Sequence, residues 1–138
     1  MYLADTSALA RLRLSEVAAV LIPLIEDGLV ARCGPIDLEI LFTARSQAEL
    51  EEMRKERALA FPLLPVTQGD FDRAADVMGL LAAAGLHRSA KAPDLLIAAI
   101  AERTNVTLLH YDADFDHIAS VTGQKMEWVV PRGSLGSA

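Results

Sequence analysis

Of the 19 acidic residues in this 138-residue chain, Asp5, Glu39, Asp94, Asp112 and Asp114 stand where a carboxylate could do chemistry. Asp5 follows the apolar run Tyr2-Leu3-Ala4 and precedes Thr6-Ser7-Ala8-Leu9. Ligand sites of open parallel sheets form beyond the carboxyl ends of strands, and Asp5 has that position. It reads equally well as the N-cap of the following helix. Glu39 lies in a helical stretch with Ile36, Leu38, Ile40, Leu41 and Phe42. An ionised glutamate with apolar residues on nearly all sides calls for a partner. Asp37 points about 200° away from Glu39 on the same helix and is explained by the helix dipole in the first turn. Asp94 follows Pro93 and opens the apolar helix Leu95-Leu96-Ile97-Ala98-Ala99-Ile100-Ala101. A helix-dipole acid is its plain reading, yet burial of that helix would carry its N-terminus inward. In Tyr111-Asp112-Ala113-Asp114-Phe115-Asp116 the acids mimic the first, third and fifth ligands of a calcium loop. His117 in place of the sixth-position Gly, and Gly123 in place of the twelfth-position Glu, reject an EF-hand. A strand end followed by a short helix fits better, with Asp112 facing the crevice of Asp5 and Asp114 either assisting or opening the helix.

Several carboxylates converging within a few ångströms repel, and some protonate unless a cation neutralises them. Oxygen-only ligands favour Mg²⁺ or Mn²⁺. The histidines compete poorly: His87 lies in a loop, and His110 and His117 lack any HExxH-like pairing, leaving His110 at most a role behind a ligand. Cys33 is the lone cysteine, so the chain has neither a disulfide nor a thiolate zinc cluster, and the thiol reads as a small buried hydrophobe. With 13 Lys and Arg the net charge is −6, and the sequence pI is near 5.0. No global basic field attracts a polyanion, so one must be met by a local patch or through bridging cations. Arg11, Arg13, Arg45, Arg88 and Lys91 flank the expected crevice. Arg54-Lys55-Glu56-Arg57, mixed with Glu49, Glu51 and Glu52, reads as a solvated helix face with i,i+4 pairs.

The elements that must position these side chains alternate along the chain. Short apolar runs at 2–4, 29–33, 63–66, 106–110 and 127–130 read as strands, near-continuous as in a sheet covered on both faces. Helical stretches lie at 6–13, 15–27, 35–45, 47–60, 70–84 and 93–104. Ser15 reads as a cap, Gly28 as a stop, and Pro23 as a kink or split of the helix between them. Pro35 and Pro93 suit first-turn positions. The pattern is an open α/β fold in one domain over 1–131, with 132–138 as a flexible tail. A hydrophobic fraction of 52% excludes a disordered or fibrous chain. Asp5 interrupts any signal peptide, and no apolar run approaches a membrane span, so a soluble cytoplasmic protein is expected.

Asp5-Thr6-Ser7-Ala8-Leu9, Glu39-Ile40-Leu41, Pro93-Asp94-Leu95-Leu96-Ile97-Ala98-Ala99 and Leu108-Leu109-His110-Tyr111-Asp112-Ala113-Asp114-Phe115 resemble, in order and spacing, the four motifs of PIN-domain nucleases. Their VapC-type toxins match most closely in length, over about residues 1–131. The resemblance implies a central parallel sheet of four to five strands flanked by helices, a Mg²⁺- or Mn²⁺-dependent endoribonuclease, and a cognate VapB-type antitoxin. It makes Asp5, Glu39, Asp94 and Asp112 the catalytic and metal-site acids, with Asp114 auxiliary or alternative to Asp112. The family commonly has Thr or Ser before the last acid, where this chain has His110-Tyr111. Thr6, Arg11, Arg13, Arg88 and Lys91 are the expected RNA contacts. Surplus apolar surface on so small a chain suggests a homodimer and an antitoxin groove. The competing class is a catalytically inactive PIN-like binding module, against which no site acid is missing. A receiver- or phosphatase-type domain fits poorly, because no second acid stands beside Asp5.

Overall fold

The computed structural model describes residues 1–136. Four strands, β1 (Tyr2–Ala4), β2 (Val30–Ala31), β3 (Thr107–His110) and β4 (Met126–Trp128), form one parallel sheet in the order β2-β1-β3-β4. Helices α1 (Thr6–Leu9), α2 (Ser15–Glu26), α3 (Gly34–Leu41), α4 (Gln47–Ala60), α5 (Gln68–Ala83), α6 (Ala92–Thr104) and α7 (Asp114–Thr122) flank it. β1 is central: the chain first turns to one side to make β2, then crosses to the other to make β3. That reversal opens a crevice beyond the strand ends. Ala4 pairs in register with Leu109, so the segments that leave β1 and β3 start side by side.

Alternation along the short strands feeds two cores. Leu3 and Leu108 point into a cluster built on Leu95, Ile97, Ala98, Ile100 and Ala101 of α6, with Val77, Leu81, Phe115 and Ile118. Ala4 and Leu109 point into the other, with Ala8, Val17, Leu21, Val30, Val129 and Val130. Covering both faces requires apolar residues at successive strand positions.

The expected strand at 63–66 is reduced to a single bridge between Arg32 and Leu63. Pro62 and Pro65 withhold the N–H groups that a ladder needs. The pairing that survives is Arg32 N–H to Pro62 O and Leu64 N–H to Arg32 O, both 2.8 Å. α1 ends at Leu9 rather than at 13, and α3 at Leu41 rather than at 45, which leaves Arg13 and Arg45 beyond their helices. α2 is not split: it runs through Pro23, where Pro23 and Ala19, one turn earlier, are both exposed and water can satisfy the freed carbonyl. Ser15 does not cap it. Leu14 holds that position without a side-chain bond, and the Ser15 hydroxyl donates to Glu16. Gly28 follows with φ 70°, as its reading as a stop requires. α5 starts earlier than expected, through a capping box in which Thr67 and Asp70 satisfy each other's backbone N–H groups.

Two ion-pair clusters tie helices to the frame. Asp37 accepts from Arg32 at 2.6 Å and from Arg57 at 2.7 Å. Asp37 is therefore more than a dipole acid, and Arg57, 8% exposed, is not part of a solvated face. Asp70, 1% exposed, takes two bonds from Arg103 of α6. At the chain end, the backbone N–H groups of Gly133 and Leu135 donate to the Tyr111 hydroxyl, and Leu135 packs on the second core. Of the segment expected to be a flexible tail, residues 137–138 lie outside the described residues. Among the described residues, no helix is long and apolar enough to cross a membrane.

Candidate metal centre

Asp94, Asp112 and Asp114 each present a carboxylate oxygen, and these oxygens lie within 4.8 Å of one another. Asp94 stands in the first turn of α6, where Pro93 costs no hydrogen bond and six later residues of the helix are buried. Asp112 and Asp114 follow β3. The Asp114 N–H donates to Asp112 Oδ1 at 2.9 Å, while the Asp112 N–H donates to His110 Nδ1 at 3.2 Å. Asp5 sits at the adjacent exit from β1 and is 4% exposed. Its N–H continues the β1–β3 ladder to Leu109 O, and its Oδ2 accepts from Ser7 N–H at 2.9 Å. Asp5 thus caps α1 and adds its charge to the crevice. The Ser7 hydroxyl accepts from Tyr111 N–H at 2.9 Å and ties the two exits together. Ser7 has no sequence signature beyond standing two residues after Asp5.

The charges register on one another. Asp94 is pushed up to about 7, first by burial and then by Asp5, Asp112, Asp114 and Glu39. Glu39 is also raised, by burial and then by Asp5. Thr6 lies near enough to oppose that rise slightly, yet neither Thr6 Oγ1 nor Glu39 Oε1 has a hydrogen-bond partner among the described residues, and both atoms are buried. All five acids singled out in the sequence therefore act on one region, with Asp94 at its centre. Asp116 stands apart, its carboxylate engaged by Trp128 Nε1 at 3.1 Å. His110 is fully buried and held below the ordinary imidazole range by that burial, against the pull of Asp116, Asp5 and Asp112. Cys33 is buried and its thiol is pushed up to about 11, chiefly by burial, which makes it a hydrophobe and not a nucleophile.

This donor set fits a hard divalent cation. The cluster is all oxygen, burial and four neighbouring acids oppose ionisation of Asp94, and the buried Thr6 Oγ1 and Glu39 Oε1 have no partner among the described residues. Among the expected cations, Arg11 donates to Ser7 O at 2.7 Å and lies over the Tyr111 ring. Arg13 bonds only the Ala10 carbonyl, and Arg88 and Lys91, before α6, are exposed and make no ion pair among the described residues. A groove of about 880 Å³ lies off the acids between α3 and α4 and is lined by Leu38, Leu41, Phe42 and Leu50. A second groove, bordered by Glu39 and Pro93, carries Leu38, Phe71, Met78 and Leu96.

The PIN domain family model matches residues 2–121. Ribonuclease VapC51 of Mycobacterium tuberculosis is 44% identical over 134 residues, 97% of this chain and 96% of the relative. Ribonuclease VapC21 of the same organism is 42% identical over 133 residues, 96% of each. Among solved structures, VapBC2 from Rickettsia felis, bound to a DNA fragment from its promoter, shares the fold with a TM-score of 0.72. That match is 15% identical and covers 91% of this chain and 96% of the other.

Proposed function

The chain belongs to the PIN-domain family, within its VapC branch, and on that footing we propose that it is the toxin of a type II toxin–antitoxin module, a divalent-cation-dependent endoribonuclease. The observation that carries this reading is the convergence of Asp94, Asp112 and Asp114 oxygens within 4.8 Å, with Asp5 and Glu39 acting on the same acid.

Asp5 and Asp94, with Glu39, Asp112 and Asp114, would hold Mg²⁺ or Mn²⁺, which when bound would neutralise their charge and supply Lewis-acid chemistry at the scissile phosphate. The unpartnered Glu39 Oε1 accepts a hydrogen bond from the attacking water and takes its proton, a role suited to a carboxylate of raised pKa. Asp112 helps to orient that water. The unpartnered Thr6 hydroxyl donates to a phosphate oxygen. Arg11, Arg13, Arg88 and Lys91 contact flanking phosphates, which position the strand without reading its sequence. Neither Cys33 nor a serine acts as nucleophile: water attacks in line, the bond from phosphorus to the ribose 3′-oxygen breaks, and that oxygen leaves with a proton from solvent, giving 5′-phosphate and 3′-hydroxyl ends. The apolar grooves beside α3 receive a VapB-type antitoxin, and the remaining apolar surface supports a homodimer acting in the cytoplasm.

Incubation of the purified protein with structured RNA tests this reading. Cleavage with Mg²⁺ or Mn²⁺, abolished by EDTA and by Asp94→Asn without loss of fold, is the expected result. Undiminished cleavage in EDTA rejects it.

A further inference from the structure

His110 ends β3 fully buried, with its ring between Phe115 and Trp128, each centroid 5.0 Å away. Its Nδ1 accepts the Asp112 N–H at 3.2 Å, so the ring proton resides on Nε2. Nε2 is buried and has no partner among the described residues. A residue present only to fill space between two aromatic rings has no use for that orphaned N–H, which an apolar side chain would not leave unsatisfied. What the imidazole adds is the acceptor at Nδ1. The turn it acts on is the one that delivers a carboxylate. Leu109 O accepts from Asp5, Tyr111 N–H donates to Ser7, and Asp112 Oδ1 accepts from Asp114. Of the Asp112 backbone, the carbonyl accepts from Phe115 N–H at 3.2 Å within the turn, and the N–H is held by His110 Nδ1.

We propose that His110 is a positioning residue for the metal centre: through Nδ1 it fixes the Asp112 backbone and so aims the Asp112 carboxylate at Asp94 and Asp114. It touches neither cation nor RNA. The inference rests on the metal reading above. Asparagine places Oδ1 at the corresponding distance from the backbone and restores an acceptor, while phenylalanine restores the ring and removes the acceptor.

Mn²⁺ titration calorimetry, without RNA, and thermal unfolding in EDTA on the wild type, His110→Phe and His110→Asn test the proposal. His110→Phe loses an unsatisfied buried N–H but must fit a larger ring, so it should unfold within a few degrees of the wild type, yet bind Mn²⁺ about ten- to a hundredfold more weakly. His110→Asn should unfold at a lower temperature, having lost the ring, yet bind Mn²⁺ within a few-fold of wild type. This opposite ordering of stability and affinity cannot come from packing alone. Wild-type affinity in His110→Phe, an asparagine variant no better than the phenylalanine one, or a phenylalanine variant that fails to fold each overturns the proposal. A wild type that binds no Mn²⁺ overturns the metal reading itself, and this proposal with it.

Discussion

Three acids of the crevice have local structural roles, and the shared site emerges only when these are taken together with Glu39 and Asp114. Asp5 caps α1, Asp94 sits in a helix first turn, and Asp112 closes a turn on Asp114. These local roles are legible from neighbouring residue types. The convergence is legible at Asp94, whose apolar helix is buried, whereas Glu39 reaches the same region although Leu38 and Phe42 near it are exposed. Asp37, Arg57 and Asp70 gave no such signal: they sit in mixed-charge or first-turn contexts, and nothing there tells which charge turns toward the frame. Asp70 makes a prediction at this scale. Burial alone raises its carboxyl, but Arg103 and the Thr67 N–H more than offset that and hold it below the usual range. A carboxyl lowered by folding contributes stability above its unfolded value of 3.8, and that contribution is lost as pH falls through its folded value. Asp70→Asn should therefore cost about 1–2 kcal/mol in urea unfolding at pH 7, a figure reduced by the exposure of Arg103. The difference from wild type should shrink on acidification below about pH 4. An equal difference at pH 3 would mean that the ion pair is not its source.

Among the elements, α3 departs most from its sequence pattern. Its apolar residues suggest burial, yet only Ile36 is fully buried, while Leu38 is 72% and Phe42 90% exposed. A face reserved for a partner and a face turned to the core have the same composition, so one sequence cannot separate them. The Asp37 bridge to Arg32 and Arg57 anchors the polar side of α3 and leaves Glu39 toward the acids. The outward apolar side borders both grooves, the surface proposed to receive the antitoxin. Phe42→Glu should leave the unfolding free energy within about 0.5 kcal/mol of wild type and RNA cleavage intact. It should weaken binding of the VapB-type partner by about tenfold or more in a pull-down or calorimetric titration. Unchanged partner affinity would move the interface elsewhere. The 63–66 run failed as a strand for a plainer reason, since its prolines withhold ladder donors, a cue present in the sequence and outweighed there by Leu63, Leu64 and Val66.

At the scale of the molecule, a chain of net charge −6 concentrates five carboxylates at the reversal of strand order in its sheet. Their mutual repulsion opposes folding when no cation is present, so the site is maintained at the expense of stability. In EDTA, Asp94→Asn should unfold at a higher temperature than wild type. Mg²⁺ at a hundred times its dissociation constant should stabilise the wild type by about 2.7 kcal/mol, a rise of several degrees, and should move the Asp94→Asn protein little. A variant less stable than wild type in EDTA would show that Asp94 serves the fold and not a cation.

The most direct test of the central claim is Mn²⁺ binding followed by electron paramagnetic resonance at neutral pH on the wild type, Asp94→Asn and Glu39→Gln. Saturable binding by the wild type, lost in Asp94→Asn and weakened in Glu39→Gln with both variants folded, is the expected result. Wild-type binding that does not saturate, or an Asp94→Asn protein that holds Mn²⁺ as tightly as the wild type, contradicts it.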